Sequence, residues 1–234
     1  MATSGTTTFN LDLTELVEEA FERCGAELRS GYDLKTARRS LNLLFADWSN
    51  RGINLWTVDT GSITLVQGTA TYNLPSDTVD LMEHVIRTGA GNASTQSDLG
   101  VTRISVSTYS SIPNKLTQAR PIQIYINRQA PIPNVTLWPT PDGSQTYTLI
   151  YWYLRRIEDA GNGVNTMDVP FRFIPCMVAG LAYYLCMKLP NALERMQVLK
   201  AQYDEAWDLA SSEDREKAAV RFVPRPMHIG NGGY

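Results

Sequence analysis

The chain has 234 residues, of which 21 are basic and 24 are acidic, so its formal net charge is −3. This length is enough for one large domain or two small ones. The charge balance excludes a protein built to coat nucleic acid, and it gives no polybasic signal for a membrane surface. The opening MATSGTTTFN has neither the basic region nor the apolar core of a secretory signal, so we expect assembly in the cytoplasm where the chain is made.

Two amphipathic helices are predicted near the N-terminus. Asp12 and Glu15 have the spacing of a capping box, which opens a helix that ends near Gly25. Asp33 is predicted to cap the second helix, and Gly52 follows the end of that helix, where a left-handed residue is favoured. The apolar residues of both segments recur at helical spacing, so each helix is expected to bury one face.

The hydrophobic period then changes to two, which predicts an antiparallel β module over residues 55–160. Residues 63–74 are predicted to form a hairpin that turns at Gln67 and Gly68. Further strands are predicted over residues 122–127, 135–137 and 146–157. The last of these carries apolar residues on both faces, so it is expected to be a central strand or to be covered from outside the subunit. Residues 89–100 are predicted to form a polar loop.

A helical hairpin is predicted over Val169–Ala210. No charged residue lies between Arg172 and Lys188, so the first arm is expected to be covered on nearly every side. This charge-free run is shorter than the ~20 residues that a bilayer requires, which argues against a membrane span. Pro190 is predicted to break the helix, and the second arm is amphipathic and half-exposed.

The C-terminal segment RFVPRPMHIGNGGY cannot continue a helix because it contains Pro224, Pro226 and three late glycines. It nevertheless keeps more apolar side chains than a disordered tail usually does. We therefore predict an extended arm that docks on a partner. The docking residues are predicted to be Arg221, Phe222, Val223, Arg225, Met227 and Ile229.

Together these elements predict an α+β fold, with a four-helix bundle formed by both chain ends, an inserted antiparallel β module and an extended C-terminal arm. The predicted boundaries are residues 1–54 for the first half of the bundle, 55–160 for the β module, 161–215 for the second half and 216–234 for the arm.

Side chains with catalytic or metal-binding patterns are scarce. Cys24, Cys176 and Cys186 lack metal-ligand spacing and are expected to be buried thiols. No phosphate-binding loop or serine nucleophile turn is present in the sequence. Four glutamates of the first helix, Glu15, Glu18, Glu19 and Glu22, are interpreted as a solvated face, although paired carboxylates also serve glycoside hydrolysis. We predict no catalytic residue, no metal and no cofactor.

Four stretches resemble a family of tailed-phage virion proteins, and the likeness extends from Asp12 to Arg225. They are LNLLFADWSNRGINLWTV (41–58), SIPNKLTQARP (111–121), VPFRFIPCMVAGLAYYLCMKLP (169–190) and EDREKAAVRFVPR (213–225). The chain is similar to the head-to-tail connector proteins, also called adaptors or tail accessory factors, which lie directly beneath the portal.

This resemblance implies a structural virion protein at the head–tail junction. It implies a homo-oligomeric ring, with a dodecamer as the expected form, that binds the portal, closes the head after DNA packaging and provides the platform for downstream tail proteins. DNA would pass through its channel during ejection without specific binding, which agrees with the net charge of −3. A ring needs two different faces that fit each other. The resemblance also implies that the C-terminal arm reaches the portal or a neighbouring subunit. We expect Leu181 and Tyr184 on the apolar helix, and Tyr151 and Tyr153 on the last strand, to contribute to these subunit interfaces.

Two alternatives remain open from the sequence. The first is a tail-tube or nozzle ring further from the head, which would bind other tail proteins. The second is a virion-associated peptidoglycan hydrolase that uses Glu18 or Glu22 as its acid. An acid in that role is normally shielded by apolar neighbours, whereas this helix face has the pattern of a solvated one.

Overall fold

The computed structural model of the protein describes residues 3–29, 31–52 and 55–215. Within them, five α-helices form: α1 (Leu13–Cys24), α2 (Gly31–Asn50), α3 (Val106–Ser111), α4 (Ile174–Cys186) and α5 (Met196–Glu213). The eight strands are β1 (Val58–Thr64), β2 (Thr71–Asn73), β3 (Thr78–Thr88), β4 (Ser97–Gly100), β5 (Thr102–Ile104), β6 (Gln123–Asn127), β7 (Asn134–Trp138) and β8 (Tyr147–Arg155). Short 3₁₀ turns cover Leu55–Thr57, Phe171–Phe173 and Pro190–Arg195.

Local signals define the two N-terminal helices. The capping box at α1 is confirmed: the Glu15 amide donates to Asp12 Oδ1 at 2.9 Å, and the Asp12 amide donates to Glu15 Oε2 at 3.1 Å. Gly25 ends α1 with a φ of 75°, and Gly52 has a φ of 71° just after α2, as predicted. The predicted start of α2 was wrong, because Asp33 lies inside its first turn rather than at the cap.

Helix α4 is the centre of the helical part of the molecule. Nearly all of its 13 residues are buried, and α1, α2 and α5 each pack against it. A Cβ added at Gly180 would lie 2.9 Å from the side chains of Leu44 and Tyr203, so glycine at this position lets α2 and α5 approach closely. The helix ends at Cys186, before Pro190, in agreement with the predicted break.

An aromatic cluster joins α2, the start of α4 and α5. The ring centroids of Trp48 and Trp207 are 5.3 Å apart, and those of Trp48 and Phe173 are 5.6 Å apart. Trp48 Nε1 donates a hydrogen bond to the Tyr203 hydroxyl at 3.0 Å. The Arg51 guanidinium covers the Trp207 ring at 4.5 Å from its centroid. Three helices are thereby fixed around one hydrogen-bonded aromatic cluster.

The strands form two four-stranded sheets, with the orders β1-β8-β3-β4 and β2-β7-β6-β5. The central position predicted for the last strand is confirmed, because β8 pairs with β1 on one side and β3 on the other. A second hydrophobic core is shared by both sheets, and it includes Leu81, Ile86, Ile124, Leu137 and Leu149. This core is separate from the one around α4.

The α+β class agrees with the structure, but the predicted architecture was wrong. A four-helix bundle is not formed, because the other long helices pack on α4 as a central helix instead of around a shared axis. The β region is not one antiparallel module either. It contains two sheets and the short helix α3, and β5 pairs with β6 in parallel. The predicted arm lies outside the described residues.

Two local predictions in the β region were also wrong. The hairpin over residues 63–74 does not form, because β1 pairs with β8 and β2 pairs with β7. The turn at Gln67 and Gly68 therefore carries the chain from one sheet to the other. The predicted loop over residues 89–100 contains a strand, since β4 pairs with the end of β3.

Candidate interaction surface

An open groove lies on the outside of the helical part, between α1 and the first turns of α4. Its volume is about 430 Å³. The lining residues are Phe9, Leu11, Glu15, Glu18, Glu19, Glu22, Arg23, Ile174, Pro175 and Val178. We call this set the acidic groove. A second hollow of about 420 Å³ adjoins it towards α5 and shares Arg23 and Pro175 with it.

The wall of the acidic groove follows from the sequence of α1. The apolar residues of this helix, among them Leu16, Val17 and Phe21, are buried against the rest of the helical part. Because an α-helix has 3.6 residues per turn, the four glutamates at positions 15, 18, 19 and 22 are then placed on the outward side. Its floor comes from α4, where Ile174 and Val178 are buried and Pro175 is exposed.

The four carboxylates differ in what they already bind. Glu15 belongs to the capping box, and Glu19 pairs with Arg23 at 2.8 Å. Glu18 and Glu22 are exposed, and neither forms an ion pair within the described part of the chain. Among the described residues, the groove therefore presents two negative charges without an ion-pair partner beside an apolar floor.

Exposed apolar side chains lie next to these charges. Phe9 is 65% exposed and Phe171 is 69% exposed, and their rings meet edge to face with centroids 6.4 Å apart. Leu209 of α5, which lines the adjoining hollow, is also exposed. Apolar surface concentrated beside charge marks a place where a partner binds, whereas single exposed apolar residues carry no such meaning.

The four residues predicted for subunit interfaces fall into two separate places. Leu181 is fully buried in the helical core, and Tyr184 of the same helix is half-buried. Tyr151 and Tyr153 are buried in the core between the sheets, with ring centroids 5.6 Å apart. Only Tyr184 of this set keeps appreciable surface in the single chain, and the interface role of all four stays a prediction.

The six predicted docking residues between Arg221 and Ile229 lie outside the described residues. The charged face of α1 was predicted from the sequence, but as a solvated face. The groove was not predicted, because its floor is supplied by α4, roughly 160 positions later in the chain. The exposed Phe9, in a polar N-terminal stretch, was the one local signal that could have indicated it.

A polar junction, which was not predicted from the sequence, links the β sheets to the helices. Asp168 pairs with the Arg155 guanidinium, which contacts both carboxylate oxygens, and the Asp168 carbonyl accepts from Trp56 Nε1 at 3.0 Å. The hydrogen bond to Asp168 raises the pKa of Arg155.

The buried Asp214 accepts from the Leu55 amide at 3.2 Å and lies 3.6 Å from the Arg172 guanidinium. These contacts fix the end of α5 beside the start of α4.

The cysteines have the character of structural thiols. All three are buried and free, as predicted. Burial raises the pKa of Cys24 to about 11 and that of Cys176 to about 12, so both remain protonated and unreactive at neutral pH. Residues 3–29, 31–52 and 55–215 contain no group of three or more His, Cys, Asp or Glu side chains that could hold a metal ion.

None of the helices in the described ranges combines the length and the apolar character that a bilayer crossing requires.

The family model described as SU10 adaptor protein matches residues 11–225. The chain therefore belongs to the SU10 adaptor protein family, and its resemblance to phage head-to-tail adaptors is confirmed. It is a structural adaptor of the phage particle that associates with other head or tail proteins. No curated protein matches the chain.

Proposed function

We propose that the protein forms the adaptor ring beneath the portal, closes the head after DNA packaging and provides the platform on which the tail is built. The observation that carries this proposal is the family match, which extends over nearly the whole chain. Its partners would be copies of itself, the portal above and tail proteins below. A dodecamer is the expected ring.

The charge and the packing of the subunit support this role. A ring subunit needs two different faces that complement each other, and the acidic groove with its exposed aromatic rim is one face that requires a complement. The net charge of −3 suits a channel through which DNA slides, because tight binding would require many phosphate contacts from Lys and Arg. The ring would be a structural component without catalytic activity.

The hydrolase alternative receives no support from the geometry of α1. Glu18 and Glu22 are both exposed to solvent, whereas a carboxylic acid that protonates a glycosidic bond is normally shielded by apolar groups. Their place beside an apolar floor is better explained by protein binding, since charged walls around an apolar centre are typical of interfaces.

The proposal is tested by blocking synthesis of this protein during infection and examining the particles. We expect heads that package DNA, fail to retain it and carry no tails, and we expect the wild-type chain supplied in trans to restore tailed particles. Normal tailed particles in its absence would overturn the proposal. Closed, DNA-filled heads that lack only distal tail parts would identify a nozzle ring, and tailed particles that adsorb without penetrating would identify a hydrolase.

A further inference from the structure

The acidic groove and the hollow that adjoins it form one furrow with two helical walls. The α1 wall carries Glu15, Glu18, Glu19 and Glu22, and the α5 wall carries Gln202, Glu205, Ala206 and Leu209. Both walls have the spacing i, i+3, i+4, i+7, which is typical of a helix face that packs against another helix. The floor between them comes from α4. The furrow therefore has the form of a site that receives one more helix.

The charge of the furrow is one-sided. Its lining includes five glutamates and a single basic residue, Arg23, whereas the whole chain is nearly balanced, with 24 acidic and 21 basic residues. Like charges four residues apart on a helix, such as those of Glu18 and Glu22, repel each other and weaken that helix. A cationic partner would remove this repulsion and form charge-assisted hydrogen bonds with the carboxylates. A helix that fits the furrow is therefore basic.

The exposed face of α2 has this chemistry. It consists of Tyr32, Lys35, Arg39, Leu43, Ala46 and Asn50, and we call it the basic face. Its two cations form no ion pair within the described part of the chain. Tyr32 is 75% exposed and Leu43 is 54% exposed, so apolar surface lies on either side of the charges. Lys35 and Arg39 are four positions apart, as the unpaired glutamates of α1 are, so each pair spans about 6 Å along its helix.

The furrow and the basic face lie on nearly opposite sides of the subunit. Leu44 of α2 packs on α4 at Gly180, whereas the furrow opens over Pro175. Five residues of an α-helix correspond to a net rotation of about 140° around its axis. The basic face is the side of α2 turned away from α4, so it cannot enter the furrow of its own subunit. Complementary faces on opposite sides of a subunit produce a head-to-tail contact, which is the kind that closes a ring.

Positive charge is also crowded beside the basic face. Lys188 follows α4, and its Nζ donates to Ser40 Oγ of α2 at 2.6 Å. Burial and the nearby Arg39 lower the pKa of Lys188. Like charges therefore repel each other on this side of the single subunit, as they do in the furrow, and bringing the two sides together would relieve both repulsions.

We propose that the basic face of α2 in one copy docks in the furrow of the next copy and that this contact joins neighbouring subunits of the ring. The two cations of α2 pair with the two unpaired glutamates of α1. The apolar side chains of the basic face cover Phe9 and Leu209, which are exposed in the single chain. This interface rests on the proposed adaptor ring, and it names the two faces that close it.

Charge reversal on one face at a time tests the interface in the full-length chain with purified portal. Glu18→Arg with Glu22→Arg makes both faces basic, and Lys35→Glu with Arg39→Glu makes both faces acidic. We expect neither double variant to form a ring alone. An equimolar mixture should form one in which the two variants alternate, because each furrow then meets an α2 face of opposite charge. Alternation requires an even number of subunits, as in the expected dodecamer.

The mass of the assembled species by analytical ultracentrifugation is the readout. Arg120→Glu with Arg156→Glu, at exposed positions of the β region, is the matched control and should assemble as the wild type does. Recovery of the ring in the mixture also shows that both double variants are folded, since a misfolded chain would not assemble with its counterpart.

Disulfide trapping gives a second readout that needs no portal. Glu22→Cys is introduced into one preparation and Arg39→Cys into another, with tags of different size, and the two are mixed under mild oxidation. The native cysteines are buried and do not compete. Glu83→Cys, at an exposed position on β3, replaces Glu22→Cys in the control. We expect a cross-linked product of mixed tag size with Glu22→Cys and the loss of most of it with Glu83→Cys.

The outcomes separate this interface from the proposed function. A ring formed on the portal by either charge-reversed variant alone overturns the interface and leaves the adaptor ring in place. A mixture that does not restore the ring, or a cross-link no stronger than that of the control, overturns the interface as well. A mixed cross-link from a chain that forms no ring on the portal supports the contact between copies and refutes the proposed function.

Discussion

The helical part and the two sheets differ in whether the buried polar side chains compared below have hydrogen-bond partners. In the helical core, Trp48 Nε1 has the Tyr203 hydroxyl as its partner at 3.0 Å, and the Cys24 thiol donates to the Ala182 carbonyl at 3.2 Å. On β3, both ring nitrogens of His84 and the hydroxyl of Thr78 are buried without a hydrogen-bond partner in the described residues. An unsatisfied buried polar group costs about 1–3 kcal/mol of stability.

This difference indicates a division of roles within the subunit. The helical part is close-packed around α4 and supports the acidic groove, so changes in its core should be the most destructive. The sheets contain unpaired polar groups, so some of their positions should be open to stabilising substitutions.

The largest effect is expected from Leu181→Asp, in the middle of α4. Leu181 is fully buried, and a carboxylate there would be surrounded by apolar side chains at a cost of several kcal/mol. This is a large part of a total stability of about 5–15 kcal/mol, so we expect little or no folded protein. Val198→Asp, at a 60% exposed position of α5, is the matched control and should fold normally. A Leu181→Asp protein with the wild-type melting temperature would show that Leu181 is not buried and that α4 is not the central helix of the helical core.

Gly61→Ala tests packing between neighbouring strands of the sheet that contains β8. A Cβ at Gly61 would lie 2.3 Å from the Tyr151 ring, so the ring or the strand must move. We expect a loss of about 1–3 kcal/mol, measured by urea denaturation. Gly100→Ala, in β4, is the control because an added Cβ there meets no atom within 4 Å. Equal denaturation midpoints for the two variants would show that Tyr151 does not need the space left by Gly61.

His84→Leu should stabilise the protein, and the gain should grow as the pH falls. Burial and Arg103 lower the pKa of His84 in the folded state, while Glu83 and the Val101 backbone act in the opposite direction without giving either ring nitrogen a hydrogen bond. The unfolded chain therefore takes up a proton near pH 6.5, before the folded chain does, and wild-type stability is lost as the pH falls below that value.

We expect His84→Leu to add about 1 kcal/mol at pH 7 and to flatten the decline of stability below pH 6.5. Glu83→Gln, at the adjacent exposed position, keeps His84 and should keep the decline. A Leu variant that declines as steeply as wild type would show that other groups cause the pH dependence.

The smallest effects are expected on the outer face of α1. Glu18→Gln and Glu22→Gln should change the free energy of unfolding by less than about 0.5 kcal/mol, because both residues are exposed and have no ion-pair partner in the described structure. Glu15→Gln weakens the charge at the capping box and should have a slightly larger effect. A muralytic activity that disappears in a folded Glu18→Gln or Glu22→Gln variant would restore the hydrolase hypothesis.

The distance along the chain between contacting residues explains how far the sequence could predict the fold. Helix ends depend on residues three or four positions apart, so the capping box at Asp12 and the glycine at position 25 could be identified directly. The strand β8 was recognised as central because its apolar residues occupy both faces. The pairing of β1 with β8 joins residues about 90 positions apart, and a turn at Gln67 looks the same whether it closes a hairpin or connects two sheets. The acidic groove could not be predicted for the same reason, since α1 and α4 meet only in the fold.

The mass of the complex formed by the full-length chain and purified portal tests the adaptor assignment most directly. We expect analytical ultracentrifugation to show one species in which a closed ring of this protein adds a fixed, whole number of copies to the portal. A portal that sediments alone, beside a folded monomer of this chain, would contradict the proposal that the protein is the ring beneath the portal.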